Sequence, residues 1–123
     1  MFEVAVCMNF SAAHNLKGYK GKCEVLHGHN WKVELSLRSE HMDGVGMVED
    51  FSVIKEKLKS CLSLFDHKYL NCLPYFKKAN PTSENIAKLI YAKMKERLED
   101  GPAIVRSVKV WETENSCATY YEP

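Results

Sequence analysis

Polar and apolar side chains alternate without a break through Asn30-Trp31-Lys32-Val33-Glu34-Leu35-Ser36-Leu37-Arg38. Successive side chains of a β-strand point to opposite faces of the sheet, so this pattern predicts a strand with one buried and one solvated face. Upstream, apolar residues occupy every second position from Phe2 to Phe10, which predicts a first half-buried strand. A polar loop, residues 15–22, separates the two.

Two helices are predicted downstream of these strands. The first begins near Phe51 with Asp50 as its N-cap, and the second follows an N-cap at Thr82. Gly101-Pro102 ends the second helix. Apolar side chains recur at helical spacing in both segments: Phe51, Ile54, Leu58, Leu62 and Phe65 in the first, and Ile86, Leu89, Ile90, Met94 and Leu98 in the second.

Residues 104–112 and 118–121 complete the pattern as a third and a fourth strand. The predicted order is therefore β-β-α-α-β-β over one domain, residues 1–123, which indicates an α+β fold with two helices carried on a sheet. The sheet edges have no visible protection, so we expect them to pair with neighbouring subunits.

The composition argues against several classes of function. Lysine and arginine total 17 against 16 aspartates and glutamates, with no long basic run, which disfavours binding to nucleic acid or to a membrane surface. No apolar stretch approaches the roughly 20 residues of a membrane-spanning helix, and no signal peptide is visible. The five cysteines are an odd, scattered number, so we expect thiols in a reducing cytoplasm.

Three histidines form the strongest candidate site. His27 and His29 flank Gly28 at the start of the second strand, so their side chains point to the same face. If the first two strands pair, His14 falls beside them. Three imidazoles on zinc leave a fourth position open, which is the catalytic arrangement, although imidazole also suits iron and copper. The competing interpretation is a polar strand face in contact with water.

Cys23 and Glu24 precede this triplet in a hydrophilic setting that argues against burial. A thiol near a cation and an imidazole has a lowered pKa, so Cys23 is a candidate base or nucleophile, or else a fourth metal ligand. Glu24 is a candidate base or a solvated loop charge. The other four cysteines are expected to be small buried side chains.

Two further positions carry groups with catalytic or binding potential. Asp66-His67, expected at the end of the first helix, is either an acid/base pair or a solvated helix terminus, and spacing alone favours the terminus. Glu112 ends the third strand, where a carboxylate can accept two parallel hydrogen bonds from a ring edge such as that of a pterin.

Taken together, these features resemble the 6-pyruvoyl-tetrahydropterin synthase and 6-carboxy-tetrahydropterin synthase family, and the resemblance spans nearly the whole chain. Six short segments carry it in the family's order: residues 10–14 (FSAAH), 23–29 (CEVLHGH), 46–51 (GMVEDF), 66–71 (DHKYLN), 80–85 (NPTSEN) and 111–113 (WET).

The resemblance implies the tunnelling fold, an antiparallel sheet that closes into a barrel with two other copies. Two trimers would stack into a homohexamer, and active sites would lie between subunits. Carried over by position, His14, His27 and His29 would bind Zn²⁺. Cys23 would be the proton-abstracting thiolate, assisted by Asp66 and His67.

The resemblance also assigns the substrate a binding site. Glu112 would anchor the pterin ring, and Thr82 and Ser83 lie where the family contacts the pterin, although Thr82 also suits a helix cap. Zinc would hold and acidify the hydroxyls of the substrate side chain.

The three residues between Cys23 and His27 match the 6-carboxy-tetrahydropterin synthases of queuosine precursor synthesis. These convert 7,8-dihydroneopterin triphosphate to 6-carboxytetrahydropterin, acetaldehyde and triphosphate. Glu24 instead matches a branch that cleaves dihydroneopterin to 6-hydroxymethyl-dihydropterin for folate synthesis, so a bifunctional enzyme is an alternative. The pyruvoyl-forming reaction and a catalytically silent zinc- or pterin-binding protein are further alternatives.

Overall fold

The computed structural model describes residues 1–18 and 25–123, which form a five-stranded sheet with two helices packed on one face. Short 3₁₀ turns at Leu70–Cys72 and Pro74–Phe76 precede the second helix. In chain order the elements are β1 (Phe2–His14), β2 (His27–Ser39), α1 (Phe51–Leu62), β3 (Lys68–Tyr69), α2 (Ser83–Arg97), β4 (Ile104–Thr113) and β5 (Ser116–Tyr120).

The sheet order is β3-β1-β2-β4-β5, and the four long strands pair antiparallel as expected. The expectation of a wholly antiparallel sheet was wrong, because β3 lies parallel to β1 at Ala12 and Ala13. The chain leaves α1 and passes along the edge of β1, where the His67 amide donates to the Ser11 carbonyl at 2.6 Å. A two-residue strand is too short to produce an alternation that sequence reasoning could detect.

The predicted alternation in β2 is confirmed, and its apolar side chains form the centre of the core. Trp31, Val33, Leu35 and Leu37 are all 0% exposed, and alternate residues of β1 and β4 extend the same buried face. Burying each such side chain contributes roughly 1.5–3 kcal/mol to folding, so this face holds the helices against the sheet.

Both helix caps are confirmed. The Asp50 carboxylate accepts from the Ser52 amide at 2.8 Å, and the Thr82 hydroxyl accepts from the Asn85 amide at 3.1 Å. Two expectations about the apolar side chains of the first predicted helix were wrong. Phe51 is 53% exposed, and Phe65, although buried, lies in the turn after α1 and not in the helix.

The two outer edges of the sheet are largely unpaired within the described chain. β1 contacts β3 at only two residues, and β5 has no strand on its outer side. Neither helix in the described ranges has the length and apolar character needed to cross a membrane.

The cysteines differ from expectation. Cys61 is buried as predicted, whereas Cys7, Cys72 and Cys117 are exposed in the single chain. All four are free thiols, and Cys23 lies outside the described residues.

Candidate metal centre

The three predicted histidines converge at one end of the core face. His14 is the last residue of β1 and pairs with His27, the first residue of β2, while His29 pairs with Ala12. All three continue the alternation that buries Phe10 and Trp31. They therefore occupy core-facing positions at the end of β1 and the start of β2.

Glu112 joins the histidines from the end of β4. Its Oε1 atom lies 2.9 Å from Nε2 of His29, 3.4 Å from Nε2 of His14 and 3.9 Å from Nε2 of His27. The four potential ligand atoms all lie within 4.8 Å of one another. Three imidazoles and a carboxylate so close together form a donor set that suits zinc.

Backbone carbonyls fix the protonation of two of the rings. The Nδ1 atom of His14 lies 2.8 Å from the Pro81 carbonyl, and Nδ1 of His27 lies 2.7 Å from the Val25 carbonyl. A carbonyl can only accept, so each Nδ1 must carry the proton. Each Nε2 then presents a lone pair, and this is how metal-binding histidines are commonly oriented.

This assignment makes the contact between His14 and His27 informative. Their Nε2 atoms are 3.0 Å apart, yet with both protons on Nδ1 neither can donate to the other. Nearby, Nε2 of His29 is buried and makes no well-formed hydrogen bond, although Oε1 of Glu112 lies 2.9 Å away. The two facing lone pairs repel each other, and burying the unsatisfied nitrogen of His29 costs free energy, unless a cation lies between these atoms. The residues therefore fit a bound metal ion.

Trp31 forms the floor beneath the cluster. Its ring contacts the rings of His14 and His29 edge-on, with centroids 4.9 and 5.3 Å apart, and its Nε1 donates to the Ala12 carbonyl at 3.2 Å. His14 is itself only 1% exposed. The packing therefore restricts the ligand rings before any metal binds.

Burial also sets the charge state of His29. It lowers the pKa of His29 below its ordinary value of 6.5; the Glu112 carboxylate opposes the shift, and the neighbouring His27 and His14 rings add to it. The imidazole is therefore neutral near pH 7, the form that binds a metal.

Metal-free protein is accordingly expected to lose stability as the pH falls below about 6.5. Protonation then favours the unfolded chain, in which His29 has its ordinary pKa, whereas above that pH both states are neutral at this residue. Thermal melts of metal-free protein between pH 5 and pH 8 measure this. The pH dependence should be weaker in His29→Gln, and an unchanged dependence would contradict the assignment.

Asp66 and His67 do not belong to this cluster. They lie in the turn after α1, and not at the helix end as expected, because α1 ends at Leu62. The Asp66 carboxylate accepts from the Ser11 amide at 2.9 Å, and His67 adopts a positive φ of 59° with an 82% exposed side chain. Their facing side-chain atoms are 3.7 Å apart, so the pair is adjacent at the edge of β1 but not hydrogen-bonded.

Of the remaining predicted residues, the structure describes Thr82 and Ser83 but not Cys23 and Glu24. Thr82 and Ser83 follow Pro81, whose carbonyl orients His14, and Ser83 is buried. Cys23 and Glu24 lie outside the described residues, so their predicted roles stay predictions.

Sequence reasoning missed the two orienting carbonyls and the proximity of Glu112 to the histidines. A backbone carbonyl leaves no mark in a sequence, and Glu112 was assigned to the substrate alone. Its position could have been found by continuing the alternation of Val108 and Val110 to the end of β4. Glu112 is thus either a fourth metal ligand or the predicted pterin anchor.

Substituting Glu112→Gln separates these two roles. If the carboxylate binds the pterin, zinc content should stay at wild-type stoichiometry while substrate KM rises about tenfold or more, as expected for losing a charge-assisted pair. Zinc titration against a chelator, together with steady-state kinetics, measures both. A fall in zinc affinity with unchanged KM would identify Glu112 as a ligand instead.

Comparison with known proteins gives a consistent result. A family profile described as 6-pyruvoyl tetrahydropterin synthase matches residues 3–123. A Synechocystis protein named 6-carboxy-5,6,7,8-tetrahydropterin synthase is 39% identical, covering 94% of this chain and 89% of its own length. A Rickettsia typhi protein of the same name is 32% identical over 88% and 91% of the two chains.

A solved structure also superposes closely. That of 6-pyruvoyl tetrahydropterin synthase from Caenorhabditis elegans matches with a TM-score of 0.89 at 30% identity, covering 99% of this chain and 96% of its own. The predicted family and the predicted tunnelling fold of the single chain are thereby confirmed.

Proposed function

Because the chain belongs to the 6-pyruvoyl tetrahydropterin synthase family, we propose that it is a zinc-dependent 6-carboxy-5,6,7,8-tetrahydropterin synthase. It converts 7,8-dihydroneopterin triphosphate and water to 6-carboxytetrahydropterin, acetaldehyde and triphosphate, a step in cytoplasmic queuosine precursor synthesis. The names of the Synechocystis and Rickettsia relatives support this product.

The observation that carries the zinc requirement is the pair of Nε2 lone pairs facing each other 3.0 Å apart. His14, His27 and His29 would hold the ion; backbone carbonyls orient the rings of His14 and His27, and Trp31 packs against those of His14 and His29. When bound, zinc supplies a Lewis acid that polarises the hydroxyls of the substrate side chain. The proton transfers themselves then fall to the protein.

Cys23 is the base that removes a proton from the substrate side chain, and Asp66 with His67 supplies the acid/base pair that works with it. An imidazole beside a carboxylate is suited to this, since it exchanges protons near neutral pH. Glu112 accepts hydrogen bonds from the pterin ring, and Thr82 and Ser83 lie along the same binding site.

The active enzyme is a homohexamer of two stacked trimers. Two observations support it. Within the described chain the outer edge of β1 is paired only at Ala12 and Ala13 and that of β5 has no strand partner, and the His67 side chain extends into solvent at the edge of β1. Edge-to-edge pairing would bring Asp66 and His67 of one copy toward the metal centre of another.

A second candidate activity follows from the adjacency of Glu24 and Cys23. With Glu24 as the base, the enzyme would cleave dihydroneopterin to 6-hydroxymethyl-dihydropterin, which serves folate synthesis. The two activities share the zinc ligands and the pterin site and differ in the base, the substrate and the product.

Product analysis distinguishes these candidates. Zinc-loaded protein is incubated with 7,8-dihydroneopterin triphosphate and, separately, with dihydroneopterin, and the products are resolved by chromatography. Acetaldehyde with 6-carboxytetrahydropterin supports the main proposal, whereas hydroxymethyl-dihydropterin favours the second activity. A 6-pyruvoyl product would assign the pyruvoyl-forming reaction, and binding without turnover would contradict all three.

A further inference from the structure

A basic cavity is lined in part by Asn80, the residue before the Pro81 that orients His14, and takes no part in the site described above. It has a volume of about 190 Å³ and lies between the loop that follows β1 and the segment that precedes α2. This is smaller than the roughly 300–1,000 Å³ of pockets that hold a whole small-molecule ligand, so it suits one part of a ligand. Its lining residues are Lys17, Phe76, Lys77, Lys78, Ala79 and Asn80.

The charge of this cavity departs from that of the chain. Among the six lining residues in the described ranges, three are lysines and none is acidic, whereas the whole protein carries a net charge of only +1. Lys17, Lys77 and Lys78 are all exposed, and a cluster of ammonium groups attracts a multiply charged anion. Phosphate oxygens are the groups that such lysines bind.

The walls of the cavity are fixed to each other. The Asn80 side chain accepts from the Lys17 amide at 2.9 Å and donates to the Lys17 carbonyl at 2.8 Å, which joins the two segments. Phe76 is 5% exposed and anchors the residues before the lysines in the core. The lysine backbones therefore keep their spacing without a ligand.

Asn80 and Lys17 also connect the cavity to the metal centre along the chain. Asn80 precedes Pro81, whose carbonyl accepts from His14 at 2.8 Å. Lys17 follows His14 by three residues, so their Cα atoms are at most about 11 Å apart even if the chain between them is fully extended. A ligand that spans both places need only be a short chain.

From this arrangement we infer that Lys17, Lys77 and Lys78 bind the triphosphate of the substrate and so select a phosphorylated dihydropterin. The inference rests on the proposed function, in which the triphosphate is attached to the last carbon of the same short side chain that reacts at the metal centre. The lysines act on substrate binding and not on proton transfer, so KM should respond while kcat is largely kept.

The test is the double substitution Lys77→Ala/Lys78→Ala, compared with wild type and with Lys59→Ala/Lys88→Ala. The control removes the same charge from exposed helix positions outside the cavity. The KM for 7,8-dihydroneopterin triphosphate should rise about tenfold or more in the first variant, because each charge-assisted contact contributes a few-fold. Affinity for unphosphorylated dihydroneopterin should be unchanged, and added salt should weaken the wild type more than the variant.

A measurement without turnover separates this inference from the proposed function. Calorimetric titration with inorganic tripolyphosphate should give binding in wild type and the control, and a weakening of at least about tenfold in the double variant. Lysine-dependent binding without catalysis would reject the proposed function but would still support a polyphosphate-binding site at these lysines. Equal tripolyphosphate affinity in all three proteins, or an equal loss of affinity for unphosphorylated dihydroneopterin, would overturn it.

Discussion

Replacing His27 by alanine is expected to remove zinc and reduce turnover of 7,8-dihydroneopterin triphosphate by roughly 10³-fold or more. Lewis-acid stabilisation is worth several kcal/mol, and about 4 kcal/mol corresponds to that factor. Zinc affinity should fall by more than the roughly 10–100-fold that loss of an outer-shell partner costs. Metal analysis after dialysis and steady-state kinetics measure the two effects.

His41→Ala is the matched control for this experiment. His41 is exposed after the end of β2 and lies outside the four-residue cluster, so the variant should keep full zinc and full activity. Stoichiometric zinc in His27→Ala would show that the ion is held elsewhere. A melting temperature measured in parallel excludes global unfolding as the cause of zinc loss.

The second large effect concerns Cys23. Cys23→Ala is expected to lower formation of 6-carboxytetrahydropterin by roughly 10²–10⁴-fold, the range for removing a positioned proton-transfer group. Glu24→Ala should instead lower formation of 6-hydroxymethyl-dihydropterin and largely spare the carboxy product. Chromatographic quantification of both products in both variants measures the partition.

Cys72→Ala controls for the loss of a thiol, since Cys72 is exposed and lies outside the metal cluster. Both Cys23→Ala and Glu24→Ala should retain zinc, because neither residue is among the three proposed histidine ligands, and three protein ligands are enough for a catalytic zinc site. An equal loss of both products in both variants would sink the division of roles. Loss of zinc in Cys23→Ala alone would make that residue a ligand.

Local patterns were sufficient for most of the fold. The alternation in β2 depends only on which side chains avoid water, and the caps at Asp50 and Thr82 depend on groups within three residues of each other. Features that depend on distant contacts were missed. Examples are the parallel strand β3 and the burial of Phe65 from a turn, both of which exist because the segment after α1 packs against β1.

The pairing of His27 with His29 follows from local sequence alone, because His-x-His on one strand puts two imidazoles on one face whatever surrounds them. The other groups of the centre depend on tertiary contacts. Pairing of β1 with β2 brings His14 to His27, the end of β4 brings Glu112, and the Pro81 carbonyl, 67 residues from His14, selects its tautomer. These contacts join residues far apart in the chain, so no local spacing encodes them.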